Sequence, residues 1–202
     1  MIEIFEEIYR GLLSLTLLEG LAVIFSFSST ILLIFNSVLV FPFTIVGSTL
    51  YIGICYRTGI YADIFVSIYF IITSIMGWYH WSKGLWNTEP PIIDKTKSRD
   101  WRFLLFSFLI FYVILFFFLK GFTNSNVVAI DALTTDLSFL ATILMVKRKI
   151  ENWIIWIIAV ILSIPLYFYK QLYLTSIFYL FTLFMNFVGY YKWSIQLKAQ
   201  NQ

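Results

Sequence analysis

Few residues in this 202-residue chain could perform chemistry, and their spacing disfavours catalysis. Asp131 and Asp136 are five residues apart, so on a helix their carboxylates point well away from each other. His80 is the single histidine and Cys55 the single cysteine, which excludes a histidine or cysteine metal cluster and a disulfide within the chain. The sequence contains no G-x-x-x-x-G-K-[ST] phosphate-binding loop. We therefore expect no enzyme activity, no metal and no cofactor.

Trp153 and Trp156 are a second group of interest, because a spacing of three places both indoles on one side of a helix. Tryptophans near a helix end are also common anchors at the membrane surface. Asn186 is an amide inside an apolar segment, where it contacts a ligand or hydrogen-bonds a neighbouring helix. Taken alone, the residues leave these alternatives open.

The composition shows which kind of protein must position these side chains. The chain is 60% hydrophobic, 21% aromatic and 12% charged, whereas soluble domains contain about 25% charged residues. This composition predicts an integral membrane protein. Spanning a bilayer takes about 20 apolar residues, and seven segments qualify. They cover residues 17–35, 38–56, 60–83, 101–119, 127–146, 153–169 and 172–193.

The remaining segments and the basic residues predict the topology. Residues 1–16 lack the basic start of a secretory signal, so we expect a retained interfacial segment. Residues 84–100 contain Pro90 and Pro91 and much of the loop charge, which predicts a solvent-exposed cytoplasmic loop. Of the 14 lysines and arginines, ten fall on the side of this loop and of the 195–202 tail. This bias predicts an outside N-terminus and a cytoplasmic C-terminus. The net charge of +3 then needs no nucleic acid partner.

The chain contains an internal repeat. MGWYHW at 76–81 recurs as VGYYKW at 188–193, SFSSTIL at 26–32 recurs as SFLATIL at 138–144, and Glu19 aligns with Asp131. All three matches share one shift along the sequence, which we call the repeat offset. We infer that 17–83 and 127–194 are copies of one three-helix unit.

The repeat predicts the fold. A unit with an odd number of membrane spans would be inverted in its second copy. An extra span, 101–120, gives the second copy the same orientation in the membrane as the first. The predicted fold is all-α, with two parallel three-helix bundles joined by a linker helix. Parallel repeats are typical of transporters whose site lies between the copies.

The sequence also resembles a known family. The block DALTTDLSFLATILMVKRKIENWIIWI at 131–157, the LY at 172–173 and the G-x-Y-x-W ending resemble the PnuC family of vitamin transporters, as do TGIYAD at 58–63 and GWYHW at 77–81. The resemblance implies a 3+1+3 fold similar to SWEET-type sugar carriers. It also implies uptake of nicotinamide riboside across the bacterial inner membrane by facilitated diffusion, with a cytosolic kinase trapping the product. It leaves open whether the chain forms a homotrimer.

The resemblance also suggests site residues, although three of them depart from the family. Trp153 and Trp156 fall on family site positions, which implies that they stack on the vitamin ring. Val160, Ser67 and Ser74 stand where nicotinamide riboside carriers have amides, and loss of a buried amide alters recognition. Thiamine or riboflavin therefore stay open as substrates, and a sensor that transports nothing is a further alternative. The acidic residues, including Asp63, would suit a permanent cation. The predicted substrate-contacting set is Trp153, Trp156, Val160, Ser67, Ser74, Asp131, Asp136 and Asn186.

Overall fold

The computed structural model describes residues 2–13, 15–59, 61–85, 92–123 and 125–200. This part of the chain forms helices α1 (Ile2–Leu13), α2 (Leu17–Ile34), α3 (Val40–Thr58), α4 (Tyr61–Leu85), α5 (Ser98–Phe122), α6 (Val128–Val146), α7 (Glu151–Tyr169) and α8 (Tyr173–Gln200). Helices α2 to α8 are long and apolar enough to cross a membrane. The seven predicted spans are therefore confirmed.

Some helix ends differ from the prediction. Helix α5 extends beyond the predicted 101–120 at both ends. Helix α8 continues to Gln200, so most of the predicted 195–202 tail is helical. Its last turns have partners, because Leu197 packs against the core and Gln200 Oε1 accepts a hydrogen bond from Ile93 N at 3.2 Å. These contacts hold the end of the helix against the protein past the last apolar span.

Local sequence explains where α2 begins. Thr16 Oγ1 accepts a hydrogen bond from Glu19 N at 3.3 Å, and Glu19 Oε2 accepts one from Thr16 N at 2.7 Å. This reciprocal capping box satisfies two backbone donors that a helix start leaves free. The Glu19 carboxylate therefore has a structural role at the start of α2.

The turns between helices follow the same repeat offset as the sequence. Among the described residues, positive φ occurs at Asn36 (55°), Arg148 (51°), Gly59 (75°) and Gln171 (60°). The repeat offset relates Asn36 after α2 to Arg148 after α6, and it relates Gly59 after α3 to Gln171 after α7. Positive φ is rare outside glycine. Two such pairs show that the repeat extends to backbone conformation.

Helix packing follows the repeat as well. Helix α3 packs between α2 and α4, and α7 packs between α6 and α8. Contacts between the two groups pair α4 with α6 and α2 with α8. The repeat relates α2 to α6 and α4 to α8, so exchanging the two copies converts the α4–α6 pair into the α8–α2 pair. Helix α5 packs on α6, and α1 packs on α8. Six helices thus surround the centre of the molecule, while α5 lies beside them.

The connection between α4 and α5 corrects part of the prediction for 84–100. Pro90 and Pro91 lie outside the described residues. Ile93, however, is only 1% exposed and belongs to the core cluster that contains Trp81 and Trp193. The segment 92–97 is therefore docked on the protein and is not a fully solvated loop. The physical reason is that burial of the isoleucine side chain removes apolar surface from water, which stabilises the docked segment.

Hydrogen bonds fix this segment against the turn between α6 and α7. Asp94 N donates to Arg148 O at 3.2 Å, and Ile150 N donates to Asp94 O at 3.0 Å. Lys149 Nζ lies 2.6 Å from Asp94 Oδ2, and this hydrogen bond holds the pKa of Asp94 below its ordinary value. Thr96 Oγ1 donates to Glu151 Oε2 at 2.9 Å. The loop thereby joins α4 and α5 to the start of α7.

Candidate functional site

Two cavities lie between the six central helices. The larger, of about 430 Å³, is lined by Trp153 and is called the Trp153 cavity. The smaller, of about 360 Å³, is lined by Asp63 and is called the Asp63 cavity. They share several lining residues, namely Ala22, Ser26, Ser48, Tyr51, Phe70, Trp156 and Tyr179. Because the two share these walls, they lie side by side, and we call the two cavities together the path.

The structure brings six of the eight predicted site residues to this path. Five of them line the Trp153 cavity, namely Ser74, Trp153, Trp156, Val160 and Asn186. Ser67 lines the Asp63 cavity, where Trp156 is again present. Trp156 is half-buried and borders both cavities. It is therefore the indole that a molecule moving along the path would meet in either cavity.

The other two predicted residues, Asp131 and Asp136, are absent from the described lining of both cavities. Asp131 pairs with Lys170, whose Nζ lies 2.6 and 2.8 Å from its two carboxylate oxygens, and it also accepts a hydrogen bond from Ser125 Oγ. Asp136 is 2% exposed, and its Oδ2 has no hydrogen-bond partner within the described part of the chain. The geometry thus separates both carboxylates from the tryptophans.

Trp153 forms a fully buried wall of its cavity. Gly189 faces the indole so closely that a Cβ at this position would lie 2.4 Å from the ring. The Trp193 ring meets Trp153 edge-on, with centroids 5.6 Å apart and planes at 87°. Only glycine leaves room for this ring between α7 and α8. The indole Nε1 of Trp153 has no hydrogen-bond partner among the described residues.

The first half of the chain contains the same arrangement at the positions that the repeat offset relates to these. Phe41 is buried against Gly77, where a Cβ would lie 2.3 Å from the ring. Trp81 meets Phe41 edge-on at 5.0 Å and 87°. Each half thus stacks a glycine, an aromatic ring and a tryptophan in the same order. The two G-x-Y-x-W endings in the sequence therefore have matching structural roles.

Trp81 and Trp193 also form hydrogen bonds between the two halves of the molecule. Trp81 Nε1 donates to Val146 O at 2.8 Å, and Trp193 Nε1 donates to Leu33 O at 3.1 Å. Both acceptors are carbonyls in the last turns of α6 and α2, where a helix leaves carbonyls without i+4 partners. Leu33 O also accepts a hydrogen bond from Asn36 N at 2.9 Å, and the repeat offset relates Val146 to Ile34, the residue next to Leu33. Arg148 lies over the Trp81 ring at 4.1 Å. Burial lowers the pKa of Arg148 to about 10, so the side chain stays cationic at neutral pH.

Sequence reasoning missed several lining residues, and the repeat offset would have found some of them. Applied to Trp156 and Val160, it gives Thr44 and Ser48, which line the Trp153 cavity. Applied to Ser67 it gives Tyr179, and it also pairs Ser74 with Asn186. Other missed residues, such as Tyr51 and Tyr167, are not related by the repeat offset to a predicted site residue. Nothing in the local sequence shows that they face the Asp63 cavity.

Metal chemistry has no support in the described part of the chain. No three histidine, cysteine, aspartate or glutamate side chains converge there in a way that could hold a metal ion. The path is bordered instead by aromatic and aliphatic side chains, hydroxyl groups, the Asn186 amide and one carboxylate. This lining is suited to binding a small organic molecule.

Comparisons with known proteins agree with this geometry. A family model described as nicotinamide mononucleotide transporter matches residues 16–195. The nicotinamide riboside transporter PnuC of Escherichia coli strain K12 is 23% identical over 180 residues, covering 75% of this chain and 74% of that protein, and the PnuC of Shigella flexneri matches equally. A crystal structure of the vitamin B3 transporter PnuC has a TM-score of 0.71 and 20% identity, covering 90% of this chain and 82% of that one. The chain therefore belongs to the nicotinamide mononucleotide transporter, or PnuC, family, whose members are integral membrane transporters and not enzymes.

Proposed function

We propose that this chain carries a vitamin with a flat heterocyclic ring across the bacterial inner membrane, and that its substrate is nicotinamide riboside. The observation that carries the proposal is the path between the six central helices, with Trp156 bordering both of its cavities. The names of its relatives supply the substrate. An indole that borders both cavities can stack on a heterocycle in either of them.

Each lining residue has a role in this proposal. Trp156 stacks on the ring of the vitamin, and Trp153 closes one wall of its cavity. Ser67, Ser74 and Asn186 hydrogen-bond the polar groups of the substrate, and Val160 packs against its apolar edge. Asn186 Nδ2 and Ser74 Oγ are buried without hydrogen-bond partners among the described residues. Such groups gain most from a ligand, since an unsatisfied buried polar group is costly. Asp131 and Asp136 would act at a distance, outside the lining.

The architecture that we propose is a pair of parallel three-helix bundles, 17–83 and 127–194, joined by the linker helix as in SWEET-type carriers. The matched positive-φ turns and the interchangeable α4–α6 and α2–α8 contacts support it. The excess of basic residues on one side supports an outside N-terminus and a cytoplasmic 84–100 loop and 195–202 tail. The lack of a basic start supports an interfacial 1–16 segment. Rocking of one bundle against the other would then open the path to each side in turn.

We further propose facilitated diffusion, with a cytosolic kinase that traps the product by adding a charged phosphate. A homotrimer is the assembly that we propose. The test of facilitation is counterflow in proteoliposomes loaded with unlabelled substrate and prepared without ion gradients. Accumulation of labelled substrate under these conditions supports facilitation. A strict requirement for a proton gradient would contradict facilitated diffusion. The buried Asp136 would then be the first carboxylate to replace by a neutral residue.

A specific observation favours a second candidate, thiamine uptake on the same scaffold. Val160 is 1% exposed and borders the Trp153 cavity, so the position where nicotinamide riboside carriers have an amide offers no hydrogen bond here. Thiamine carries a ring cation as nicotinamide riboside does, whereas riboflavin is neutral. A change of vitamin would therefore show first in the hydrogen bonds to the non-ring part of the substrate.

The deciding experiment is a calorimetric binding panel with nicotinamide riboside, thiamine and riboflavin on the purified protein. Tightest binding of nicotinamide riboside supports the proposal, and tightest binding of thiamine or riboflavin replaces it. We expect Val160→Asn to shift preference toward nicotinamide riboside by about tenfold, since a buried hydrogen bond to a ligand is worth about 1.4 kcal/mol or more. An unchanged preference would remove this explanation. Binding without proteoliposome uptake would indicate a sensor.

A further inference from the structure

Asp63 is the one carboxylate of the described residues that lines the path. It lies in the first turn of α4, where the partial positive charge of a helix N-terminus favours an anion. Tyr51 Oη donates a hydrogen bond to Asp63 Oδ2 at 3.3 Å. Both interactions favour the charged form of the carboxylate, and the Tyr51 hydrogen bond helps to hold it at the cavity.

The nearest basic group is already paired with another acid. Lys170 contacts both carboxylate oxygens of Asp131, at 2.6 and 2.8 Å. No ion pair to Asp63 occurs in the part of the chain that the structure describes. One lysine and two aspartates leave one uncompensated negative charge at this end of the path. An intramembrane carboxylate without a counter-ion is costly, and a cation in the cavity relieves that cost.

Aromatic rings surround the same space. Tyr51, Tyr167, Tyr179 and Trp156 line the Asp63 cavity, and the Tyr167 and Tyr179 ring centroids are 4.9 Å apart. These rings come from α3, α7 and α8, while the carboxylate comes from α4. Aromatic faces attract a cation even when it has no hydrogen to donate. A carboxylate beside several rings is therefore suited to a quaternary ring nitrogen.

We propose that Asp63, together with Tyr51, Tyr167 and Tyr179, forms a subsite for the positively charged ring nitrogen of the substrate. The substrate class is then a permanently cationic nitrogen heterocycle, and the protein selects it by charge as well as shape. This inference rests on the proposed function, because it assumes that the path carries a vitamin. It makes Asp63 a residue that determines specificity, whichever cationic vitamin is carried.

The test compares ligands that differ in charge but hardly in shape. Nicotinamide riboside is titrated against its neutral 1,4-dihydro form, and thiamine against its neutral 3-deaza analogue, by isothermal calorimetry, which avoids the absorbance of the dihydro form. We expect the wild type to bind the cation at least tenfold more tightly than its neutral partner. In Asp63→Asn we expect the cation to lose at least tenfold in affinity and the neutral form to change less than twofold.

Two further variants control the result. Glu19→Gln removes one negative charge near the start of α2, and glutamine preserves the capping box, so discrimination should stay at the wild-type level. Tyr51→Phe removes the hydroxyl that positions the carboxylate and should reduce discrimination several-fold. If Asp63→Asn does not fold, the proposal is tested by the ratio of wild-type affinities for the cation and its neutral partner, together with the change of that ratio in Tyr51→Phe. Equal wild-type affinity for charged and neutral forms overturns the proposal.

The outcomes separate this inference from the proposed function. Binding of nicotinamide riboside without discrimination by charge overturns the Asp63 subsite and leaves the transporter proposal intact. Selective binding of thiamine over its neutral analogue supports the subsite and replaces the proposed substrate. Tight binding of riboflavin alone, or of none of these ligands, overturns both.

Discussion

Trp156 and Val160 border the path from the second half of the chain, whereas the repeat offset places Thr44 and Ser48 at the matching positions of the first half. The helices and turns that hold these residues have the same backbone arrangement in both halves. At these matched positions the second half therefore contributes an indole and an apolar side chain to the cavity lining, and the first half contributes two hydroxyl-bearing side chains. The difference teaches that a duplicated backbone has acquired two kinds of surface, one suited to a flat ring and one suited to hydrogen bonding.

The buried aromatic positions differ in the same way. Trp153 packs on Gly189 and also reaches the cavity, while Phe41 packs on Gly77 and is absent from the described lining. Both side chains occupy equivalent places in the repeat, and the indole is the larger of the two. The first half uses this position for packing alone, and the second uses it for packing and for the cavity wall.

The largest effect should come from the two indoles at the cavity. We expect Trp156→Ala or Trp153→Ala to reduce uptake at least tenfold, about 1.4 kcal/mol or more, with membrane insertion intact. Thr44→Ala, at the position matching Trp156, should reduce uptake less than threefold. Uptake in proteoliposomes with equal protein content checks this. Normal uptake in both tryptophan variants would defeat the site assignment.

The two glycines test the equivalence of the aromatic stacks. Gly77→Ala and Gly189→Ala each force a ring to move, which costs about 1–3 kcal/mol in packed interiors and outweighs the helix propensity gained. Both should lower the thermal unfolding temperature in detergent, but only Gly189→Ala, which displaces Trp153, should also weaken substrate binding.

Gly20→Ala is the matched control, because a Cβ there meets nothing within 4 Å. It should leave stability unchanged or slightly raised. Equal loss of binding in Gly77→Ala and Gly189→Ala would show that the two halves are functionally alike, contrary to the difference described above.

The reciprocal hydrogen bonds of Trp81 and Trp193 predict a pair of similar, smaller effects. Trp81→Phe and Trp193→Phe each remove one indole donor and should lower the free energy of unfolding by about 1 kcal/mol. Trp81→Phe should cost slightly more, because Arg148 also lies over the indole and interacts less strongly with phenylalanine. Thermal unfolding of both variants is the measurement. No effect in one of them would break the equivalence of the two bonds.

The smallest effect should come from Asp94 and Lys149, a contact that the first half lacks because Ser37 stands at the position matching Lys149. The Asp94 side chain is 56% exposed, so Asp94→Asn should cost less than about 1 kcal/mol. The pKa of Asp94 is lowered by the hydrogen bond from Lys149. Its contribution is therefore present above the unfolded-state pKa, about 3.9, and is lost as pH falls through the lower folded-state pKa.

Unfolding temperatures of wild type and Asp94→Asn should accordingly differ by the same amount at pH 7 and pH 5. The difference should shrink below about pH 4, as the wild-type carboxylate takes up a proton. A difference that persists at the lowest pH would assign the effect to packing of the 92–97 segment and not to the ion pair.

Sequence predicted the seven spans because membrane helices are encoded by apolar length, and it predicted the repeat because several motifs match at one offset. It also selected six residues that the structure places at the cavities, five through the family pattern and Asn186 as an amide within an apolar segment. The contacts of Asp131 could not be predicted. Its partner Lys170 is 39 residues away at the end of another helix, and charge alone does not show which helix ends meet.

The docking of Ile93 was missed for a similar reason. A single isoleucine in a proline-containing, charged segment has no periodicity, and its burial depends on the groove beside Trp81 and Trp193. The pairing of Tyr51 with Asp63 likewise requires the packing of α3 on α4. Local sequence encodes the helices and their ends, whereas the polar partners across them depend on tertiary packing.

The reciprocal bonds of Trp81 and Trp193 also bear on how such a chain could have originated. When a contact between two surfaces occurs twice with the roles exchanged, it has the form of an isologous interface in a two-fold homodimer. Two separate copies of an ancestral half could have made both bonds before one connection joined them. On this view α5 with its loops is a tether that supplies the partner at high effective concentration. The fused chain was then free to change one half, so that Trp153 and Phe41 could diverge while the bonds at the ends of α2 and α6 remained paired.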